Sequence, residues 1–255
     1  MKQRLARLVG FTRRGRNLAP VWSESADGLK IISWNLLRRT GATVQDVVAL
    51  IRAEQPDILL MQEATVEMDM LPELVGGHYG RSPLPGRIHG VACWSTIPFL
   101  RPPRACTIPS GMLVKRHAQI IEYAGFSLAN VHLSHGQVLN RRQLRRIATM
   151  LSAPCAILGD FNLVGPTLLP GFSDVGPKAP THRMVDVLPI RIDRCLVEGM
   201  DCLGARVLPV FASDHRPISV RLLPHTIRSE LNLLQVGHEE ARERITELRK
   251  AATVV

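Results

Sequence analysis

The sequence is poor in aromatic side chains, since Phe, Trp and Tyr make up 4% of its 255 residues. Base-stacking platforms for single-stranded nucleic acid need such rings, so the composition does not indicate one. Long apolar runs are also missing, and none approaches the roughly 18 residues that would span a bilayer. The only apolar run near the N-terminus, 5–11, is short and contains Arg7, which does not fit a secretory signal. We therefore expect a cytoplasmic protein.

The sequence has five cysteines and no Cys-x-x-Cys pair. Cys93, Cys155 and Cys195 lie in apolar stretches. An odd number without metal-ligand spacing argues against a zinc site or a disulfide framework. We predict reduced, buried thiols that pack as small hydrophobic side chains.

Positive charge is in excess, with a formal net charge of +10, and it is unevenly spread. Residues 1–30 hold seven Lys/Arg and two acids, whereas residues 225–255 hold five of each sign. Such an excess suits a polyanionic partner, either nucleic acid or an anionic lipid surface, and it is also common on solvated surfaces.

Three segments are predicted along the chain. Residues 1–27 lack periodicity and are predicted to be a flexible basic arm, either docked on nucleic acid or an anionic membrane surface or simply a disordered leader. Residues 28–224 form the domain. Residues 225–255 contain a predicted surface helix over 228–251, which packs on the domain or on a partner subunit. No obligate protein partner is implied.

A strand–helix–strand pattern occurs twice. Apolar residues at 29–36 predict a strand, Thr43 and Asp46 predict a capping box at the start of a helix, and Pro56 ends that helix before a strand at 58–61. The second copy has strands at 126–133 and 154–158. Between them, Asn140 is predicted to cap a helix whose apolar face includes Leu144, Ile147, Ala148 and Leu151.

Further strands are predicted where short apolar runs lie between breaks rich in proline and glycine: 91–94, 119–123, 189–197, 205–210 and 218–222. Strands that are apolar on both faces belong between layers. This favours an α/β fold in which one sheet packs on another, with helices outside.

Polar side chains recur where these apolar strands end. They are Asn35, Glu63, His132, Asp160 with Asn162, Asp193, and Asp214 with His215. Burying a carboxylate is costly unless a metal, a cation or hydrogen-bond donors compensate it. Each residue alone has an ordinary structural explanation, but their joint occurrence indicates a shared site.

The residue types in this set suit phosphate ester chemistry. Glu63, Asp214 and Asn35 offer the oxygen ligands that hard divalent cations prefer, and no Cys/His cluster suggests zinc. Phosphate ester hydrolysis needs charge neutralisation, an oriented water and a route for protons. Histidines near neutral pH supply donors and proton carriers.

The ordered motifs Trp-Asn, Gln-Glu, Asn-x-His-Leu, Gly-Asp-Phe-Asn, Arg-Ile-Asp and Ser-Asp-His-x-Pro, from about residue 30 to residue 223, resemble the endonuclease/exonuclease/phosphatase superfamily. The histidine at position 132 is similar to that of its deoxyribonuclease and sphingomyelinase branches. The resemblance implies a four-layer α/β/β/α sandwich with two packed mixed sheets and a site at one edge of the sheets.

The resemblance also implies roles for the polar residues. Glu63 would be the principal ligand of Mg²⁺ or Mn²⁺, supported by Asn35 and Asp214. Asp160 would orient or deprotonate the attacking water, and Asn162 would hold that water or a phosphate oxygen.

Three further roles complete this implied machinery. His215 would donate to the phosphoryl group and would be held by Asp193, while His132 would lie near the leaving group.

Weaker indications concern substrate binding by Thr181, His182 and Arg142. Thr181 lies where relatives place a threonine that contacts substrate, and a capping role fits equally. Arg142 belongs to two basic rows with Arg141, Arg145 and Arg146, which either grip phosphates or form a solvated face.

The sequence leaves three functions open. The first is a metal-dependent phosphoesterase that cuts phosphodiester bonds in nucleic acid as an endonuclease or exonuclease. The second is a phosphatase or phosphodiesterase acting on a phospholipid or a small phosphorylated metabolite. The third is an inactive binding protein on the same fold, which the complete polar set disfavours.

Overall fold

The structure is a computed structural model that describes residues 28–38, 40–111, 115–184, 188–209 and 212–226. The predicted arm at 1–27 and the predicted helix at 228–251 lie outside these ranges. Among the described helices, none has the length and apolar character that crossing a membrane requires.

The described residues form fourteen strands, three α-helices and one 3-10 helix. The helices are α1 (Val44–Glu54), α2 (Leu71–Val75), α3 (Gln137–Ala148) and the 3-10 helix Val66–Met70. The strands are β1 (Leu29–Asn35), β2 (Ile58–Ala64), β3 (His78–Pro83), β4 (Gly90–Ser95), β5 (Arg104–Thr107), β6 (His117–Tyr123), β7 (Phe126–His132), β8 (Cys155–Asp160), β9 (Ser173–Asp174), β10 (His182–Met184), β11 (Leu188–Ile190), β12 (Asp193–Glu198), β13 (Met200–Val207) and β14 (Ile218–Pro224).

Two six-stranded sheets dominate, with the orders β13-β14-β1-β2-β4-β3 and β5-β6-β7-β8-β12-β9. The pairs β1–β2 and β7–β8 are parallel, and the other pairs within these sheets are antiparallel. Each parallel pair is joined through a helix, α1 or α3, because parallel neighbours need a crossover connection. Both sheets are therefore mixed, and both predicted strand–helix–strand units are confirmed.

The central strands are buried on both faces, and their alternating side chains enter different layers. Ile31 and Leu60 point into the core between the two sheets, where they meet Leu128 and Leu158 of the second sheet. This inner layer contains Cys93, Ala156 and Cys195, and Cys155 and Cys106 are buried as well. The prediction of buried thiols is therefore confirmed for four of the five cysteines, whereas Cys202 is half-buried.

The alternate residues of the same strands pack against the helices. In the first sheet, Ile32 and Leu59 lie in a cluster with Val47 and Ile51 of α1. In the second sheet, the alternate residues, such as Ile157, cluster with the apolar face of α3. Three apolar layers therefore separate four structural layers, which confirms the predicted α/β/β/α sandwich of two packed mixed sheets.

The start of α1 follows the predicted capping box. The Thr43 backbone N–H donates to Asp46 Oδ2 at 2.8 Å, and the Asp46 N–H donates to Thr43 Oγ1 at 3.3 Å. These bonds satisfy donors that lack partners within the first helical turn. The helix ends at Gln55, which adopts the left-handed conformation directly before Pro56.

The prediction that Asn140 caps the second helix is wrong. Helix α3 begins earlier, at Gln137, and Gly136 precedes it. Asn140 is fully buried inside the helix, where its side chain donates to backbone carbonyls beyond β8. A buried amide that bonds across the fold has the same residue type as a cap, so residue type alone cannot separate the two roles.

Two predicted strands have different bounds. The run 189–197 is divided between β11 and β12, which belong to different sheets. The strand predicted at 205–210 begins at Met200 and ends at Val207. In its first part, Met200–Gly204, Asp201 and Gly204 interrupt the apolar residues, so no continuous apolar run marks the start of the strand.

Candidate active site

The candidate active site lies where the parallel strands of both sheets end. Asn35 is the last residue of β1, Glu63 lies near the end of β2, His132 ends β7 and Asp160 ends β8. The packing of the two sheets brings these ends together, since the Asn35 side chain donates to Asp160 across the inner layer at 3.1 Å.

Asp160 is at the centre of the site and is 1% exposed. Its Oδ2 accepts from Asn35 Nδ2 and from Asn162 Nδ2, at 3.1 and 3.2 Å, and its Oδ1 accepts from the Asn162 N–H at 2.9 Å. His132 Nε2 lies 3.3 Å from Oδ2. Asn162 has a φ of 47°, a left-handed conformation that asparagine tolerates and that turns both its donors back toward Asp160.

The carboxyl group of Asp160 is held in a poorly hydrated environment. Burial raises the pKa of Asp160 to about 6, with a further rise from the nearby Asp193 carboxylate, although the charge of His215 acts in the opposite direction. Burial disfavours the charged form of an acid, which makes this carboxylate a better proton acceptor than an exposed aspartate.

Asp193 and His215 form a buried pair beside Asp160. His215 Nδ1 lies 2.9 Å from Asp193 Oδ2, and His215 Nε2 lies 3.8 Å from Asp160 Oδ2. Burial by itself would lower the pKa of His215, but the carboxylates of Asp193, Asp160 and Asp214 outweigh it and raise the pKa to about 10. The ring is therefore an imidazolium at neutral pH, with Nε2 directed at the centre of the site.

The backbone around His215 is tied to the end of β1. Ser213 Oγ donates to the Asn35 carbonyl at 2.7 Å and accepts from the His215 N–H at 3.2 Å. The indole of Trp34 donates to the His215 carbonyl at 3.0 Å. These bonds explain why a Trp-Asn pair and a Ser-Asp-His run, separated by about 180 residues, act together in one site.

Glu63 reaches the site through an irregularity in β2. The pairing of β2 with β4 shifts register between Gln62 and Ala64, and Glu63 between them has a φ of 56°. Such a bulge redirects a side chain from the regular alternation. Glu63 Oε1 lies 4.0 Å from His132 Nδ1, and Oε2 accepts from the Arg38 N–H at 3.2 Å.

Asp214 and His182 lie on the outer side of His215. The His182 and His215 rings are 4.4 Å apart between centroids, and His182 Nδ1 lies 3.8 Å from Asp214 Oδ2. The Asp214 side chain is 40% exposed, so its carboxylate is available to a ligand from solvent.

The donor chemistry of the site fits a hard divalent cation. Among the described residues, acidic and imidazole groups form two compact sets, Asp160–Asp193–His215 and His182–Asp214–His215, each with possible ligand atoms within 4.8 Å of one another. The predicted ligand Glu63 belongs to neither set, and a protonated His215 cannot itself bind a cation, so the carboxylates of these sets are the groups that would attract one. The Glu63 and Asp214 side chains are 16% and 40% exposed, and Asn35, which pairs with Gln62 in the sheet, carries an amide oxygen that accepts from the Leu37 N–H. The buried Cys93 and Cys195 lie in the inner core rather than at this edge, so the ligands are oxygen and nitrogen atoms.

His132 lies between Asp160 and Glu63, and it is 6% exposed. Burial lowers the pKa of His132 well below its usual value, and the positive charges of Arg116 and His215 lower it further. His132 is therefore neutral, so one ring nitrogen donates while the other can accept.

The three residues predicted to contact substrate, Thr181, His182 and Arg142, lie in different surroundings. Thr181 is fully buried, and its Oγ1 accepts from the backbone N–H groups of Ile192 and Asp193 at 3.2 and 3.1 Å. This hydroxyl therefore positions Asp193, and substrate contact by Thr181 stays a prediction. His182 borders the site through His215, and Arg142 is exposed on α3.

Several residues that contribute to the site escape sequence reasoning. Asn140 donates to the Phe161 and Asn162 carbonyls at 2.7 and 2.9 Å and so supports the Asp160 loop. Arg116 is a largely buried base whose charge acts on His132. The sequence marks Asn140 only as a possible cap, and Arg116, which lies directly before β6, has no sequence feature that points to the site.

An α/β/β/α sandwich with buried carboxylates, amides and a histidine–aspartate pair at one sheet edge defines a class of metal-dependent phosphoesterases. A family model for the endonuclease/exonuclease/phosphatase family matches residues 32–215. The chain belongs to this family, and it is a metal-dependent hydrolase acting on phosphate ester bonds.

Solved structures share this fold at low sequence identity. D. rerio TDP2 humanized by 14 mutations has a TM-score of 0.65 and 17% identity, over 78% of this chain and 100% of that one. D. rerio TDP2 complexed with single strand DNA product has a TM-score of 0.62 and 16% identity, over 76% and 98%. The human Nocturnin catalytic domain has a TM-score of 0.59 and 18% identity, over 77% and 93%. No curated protein matches the sequence.

Proposed function

We propose that the protein hydrolyses phosphodiester bonds in nucleic acid, using Mg²⁺ or Mn²⁺. The observation that carries the proposal is the pairing of two unlike groups: a buried carboxylate, Asp160, and a protonated imidazole, His215, with 3.8 Å between Asp160 Oδ2 and His215 Nε2. A proton acceptor beside a cationic donor suits attack by water on a phosphate.

Each residue has a distinct task in this proposal. Asp160 orients the attacking water and accepts its proton, while Asn162 and Asn35 hold the carboxylate in place. The water oxygen bonds to phosphorus as the ester P–O bond breaks. His215 donates a hydrogen bond to a non-bridging phosphate oxygen and remains protonated because Asp193 holds its Nδ1 side. His132 lies beside Asp160 and faces the leaving group.

Glu63, Asn35 and Asp214 are the proposed metal ligands. When bound, a divalent cation neutralises the negative charge that develops on the phosphate oxygens. The oxygen character of this set fits Mg²⁺ and Mn²⁺ alike.

Two observations support nucleic acid as the substrate. The net charge of +10 favours a polyanion. A structure with the same fold, D. rerio TDP2, is described as complexed with single strand DNA product. The alternative, a phospholipid or small phosphorylated metabolite, is tested by the same experiment.

The proposal predicts metal-dependent cleavage of DNA. Purified protein is incubated with Mg²⁺ or Mn²⁺ and, in parallel, with supercoiled plasmid, a single-stranded oligonucleotide, a chromogenic bis-phosphodiester and a chromogenic monoester. We expect cleavage of nucleic acid and of the diester, and none in EDTA. Hydrolysis of the small esters alone would support the alternative substrate class.

Asp160→Asn serves as the matched inactive variant because the amide has the shape of the carboxyl group but cannot accept the proton. We expect a loss of roughly 10²–10⁴-fold in kcat. Its circular-dichroism spectrum should match that of the unsubstituted protein. Full activity in this variant would refute the assignment of Asp160 and would show that another group activates the water.

A further inference from the structure

A groove of about 410 Å³ lies next to the candidate site, beside Glu63. Its lining comes from the loop after β1 and from the turn between β3 and β4: Arg38, Thr40, Gly86, Arg87, Ile88 and His89. No role in catalysis has been assigned to these residues. The groove borders the site through Arg38, whose N–H donates to Glu63 Oε2 at 3.2 Å.

The groove has two arginine side chains, and only one of them has an acidic partner among the described residues. Arg38 Nε lies 3.9 Å from Glu63 Oε2, and its Nη1 lies 3.1 Å from His89 Nε2. A guanidinium only donates, so the neutral form of the His89 ring accepts this bond. Within the described part of the chain, Arg87 forms no salt bridge.

Arg116 does not line the groove, but it adds a further guanidinium close to both the groove and the site. Its charge interacts with Asp160 and Glu63 on one side and with Arg38 and Arg87 on the other. Its Nε is buried and has no hydrogen-bond partner among the described residues, and no salt bridge there includes it. A buried donor without a partner is costly, which indicates that a ligand supplies the acceptor.

The positive charge near the groove indicates an anionic ligand. Arg38 pairs with Glu63, the charge of Arg116 interacts with Asp160 and Glu63, and Arg87 has no salt-bridge partner among the described residues. Arginine presents paired donors that match phosphate oxygens, so two arginines that line the groove and a third close to it suit a negatively charged oxyanion.

We propose that this groove binds a second phosphate group of the substrate, adjacent to the phosphate that is hydrolysed. This inference rests on the proposed function, which identifies the hydrolysed group as a phosphodiester of nucleic acid. The second phosphate belongs either to the next internucleotide linkage or to the 5′ end of the strand, since both offer the same oxygens to the arginines.

Binding without turnover tests the proposal. Fluorescence anisotropy in EDTA would measure the affinity for two labelled ten-nucleotide oligothymidylates, one with a 5′-phosphate and one with a 5′-hydroxyl, at several salt concentrations. We expect Arg87→Ala and Arg116→Gln each to weaken binding on the order of tenfold. The salt slope should fall by about one for each lost phosphate contact.

Arg101→Ala is the matched control. The Arg101 side chain is 78% exposed, and its Nε lies 3.9 Å from Glu122 Oε2. Glu122 lies near the C-terminal end of β6, whereas Arg116 directly precedes the N-terminal end of that strand. This variant should bind like the unsubstituted protein. The exposed Arg87 can be replaced without disturbing the core, and the melting temperature of Arg116→Gln shows whether that variant is folded.

Each outcome has a defined meaning. Weakening confined to the 5′-phosphorylated strand identifies the terminal phosphate, and equal weakening of both strands identifies an internal one. Unchanged affinity and slope in Arg87→Ala, or no binding by the unsubstituted protein, overturns the proposal. The binding measurement is made in EDTA, so neither metal binding nor cleavage affects it. A negative result in the nuclease assay therefore contradicts the proposed function, whereas unchanged binding in Arg87→Ala contradicts the phosphate site in the groove.

Discussion

At the scale of single residues, Thr181 shows that an interior hydroxyl can determine the geometry of a catalytic pair. Its Oγ1 accepts from two successive backbone N–H groups, those of Ile192 and Asp193, at the start of β12. Asp193 in turn holds His215. The position of the imidazole therefore depends on Thr181, a fully buried side chain two contacts away from it.

We predict that Thr181→Val destabilises the protein by about 1–3 kcal/mol, since the isosteric side chain leaves two buried donors without an acceptor. Activity should fall as well, because Asp193 loses its anchor. Urea unfolding and steady-state kinetics measure both effects.

Thr181→Ser is the control for this prediction, and it should behave almost like the unsubstituted protein because it keeps the hydroxyl. If Thr181 instead contacts substrate, Thr181→Val would raise KM while the free energy of unfolding stays the same. That result would restore the substrate-binding interpretation.

At the scale of elements, helix α3 does more than cover the second sheet. Its apolar face, with Leu144 and Ile147, packs on that sheet, while Asn140 one turn earlier donates to the carbonyls of Phe161 and Asn162. The loop that carries Asp160 and Asn162 is thereby fixed to a rigid helix, as precise catalytic geometry requires.

We predict that Asn140→Ala lowers kcat on the order of tenfold to a hundredfold with little change in KM, because the Asp160 loop loses two hydrogen bonds and its position relaxes. Alanine has the higher helix propensity, so α3 itself remains formed. Kinetics on the chromogenic diester, together with circular dichroism, test this.

Val138→Ala, on an exposed position of the same helix, is the matched control and should retain full kcat. A fall in helix content or an equal effect of both substitutions would show that Asn140 matters only for the stability of α3.

At the scale of the whole molecule, a polar network crosses the apolar layer between the two sheets. Asn130 of β7 donates to the carbonyls of Met61 and Ala92 in the opposite sheet, at 3.1 and 2.9 Å, and accepts from Gln62 Nε2 at 2.8 Å. Asn130 and Gln62 are fully buried. The network sets the register of one sheet against the other directly behind Glu63 and His132.

We predict that Asn130→Ala lowers the free energy of unfolding by about 2–3 kcal/mol, since the amide of Gln62 loses a buried partner and a cavity forms. Urea denaturation measures the change. Gln45→Ala, which removes an exposed amide from α1, should change stability by less than about 0.5 kcal/mol. Equal effects of the two substitutions would mean that the network does not hold the sheets together.

Much of the fold was predictable because it depends on local periodicity. The apolar strands 29–36 and 58–61, the cap at Thr43 and the helix between them follow from patterns within about 35 residues. The boundaries at 189–197 and the role of Asn140 were not predictable, since both depend on contacts with distant segments.

The amino-acid sequence by itself determined which residue types form the site and that they lie at strand ends, because a buried polar group is costly unless a partner compensates it. Only the tertiary structure decided which of them meet. The contact of Asp160 with Asn35 arises from the packing of the two sheets, its contact with His132 from the pairing of β7 with β8, and the arginine groove from two loops that meet beside Glu63. Distances between separate segments have no local signature in a sequence.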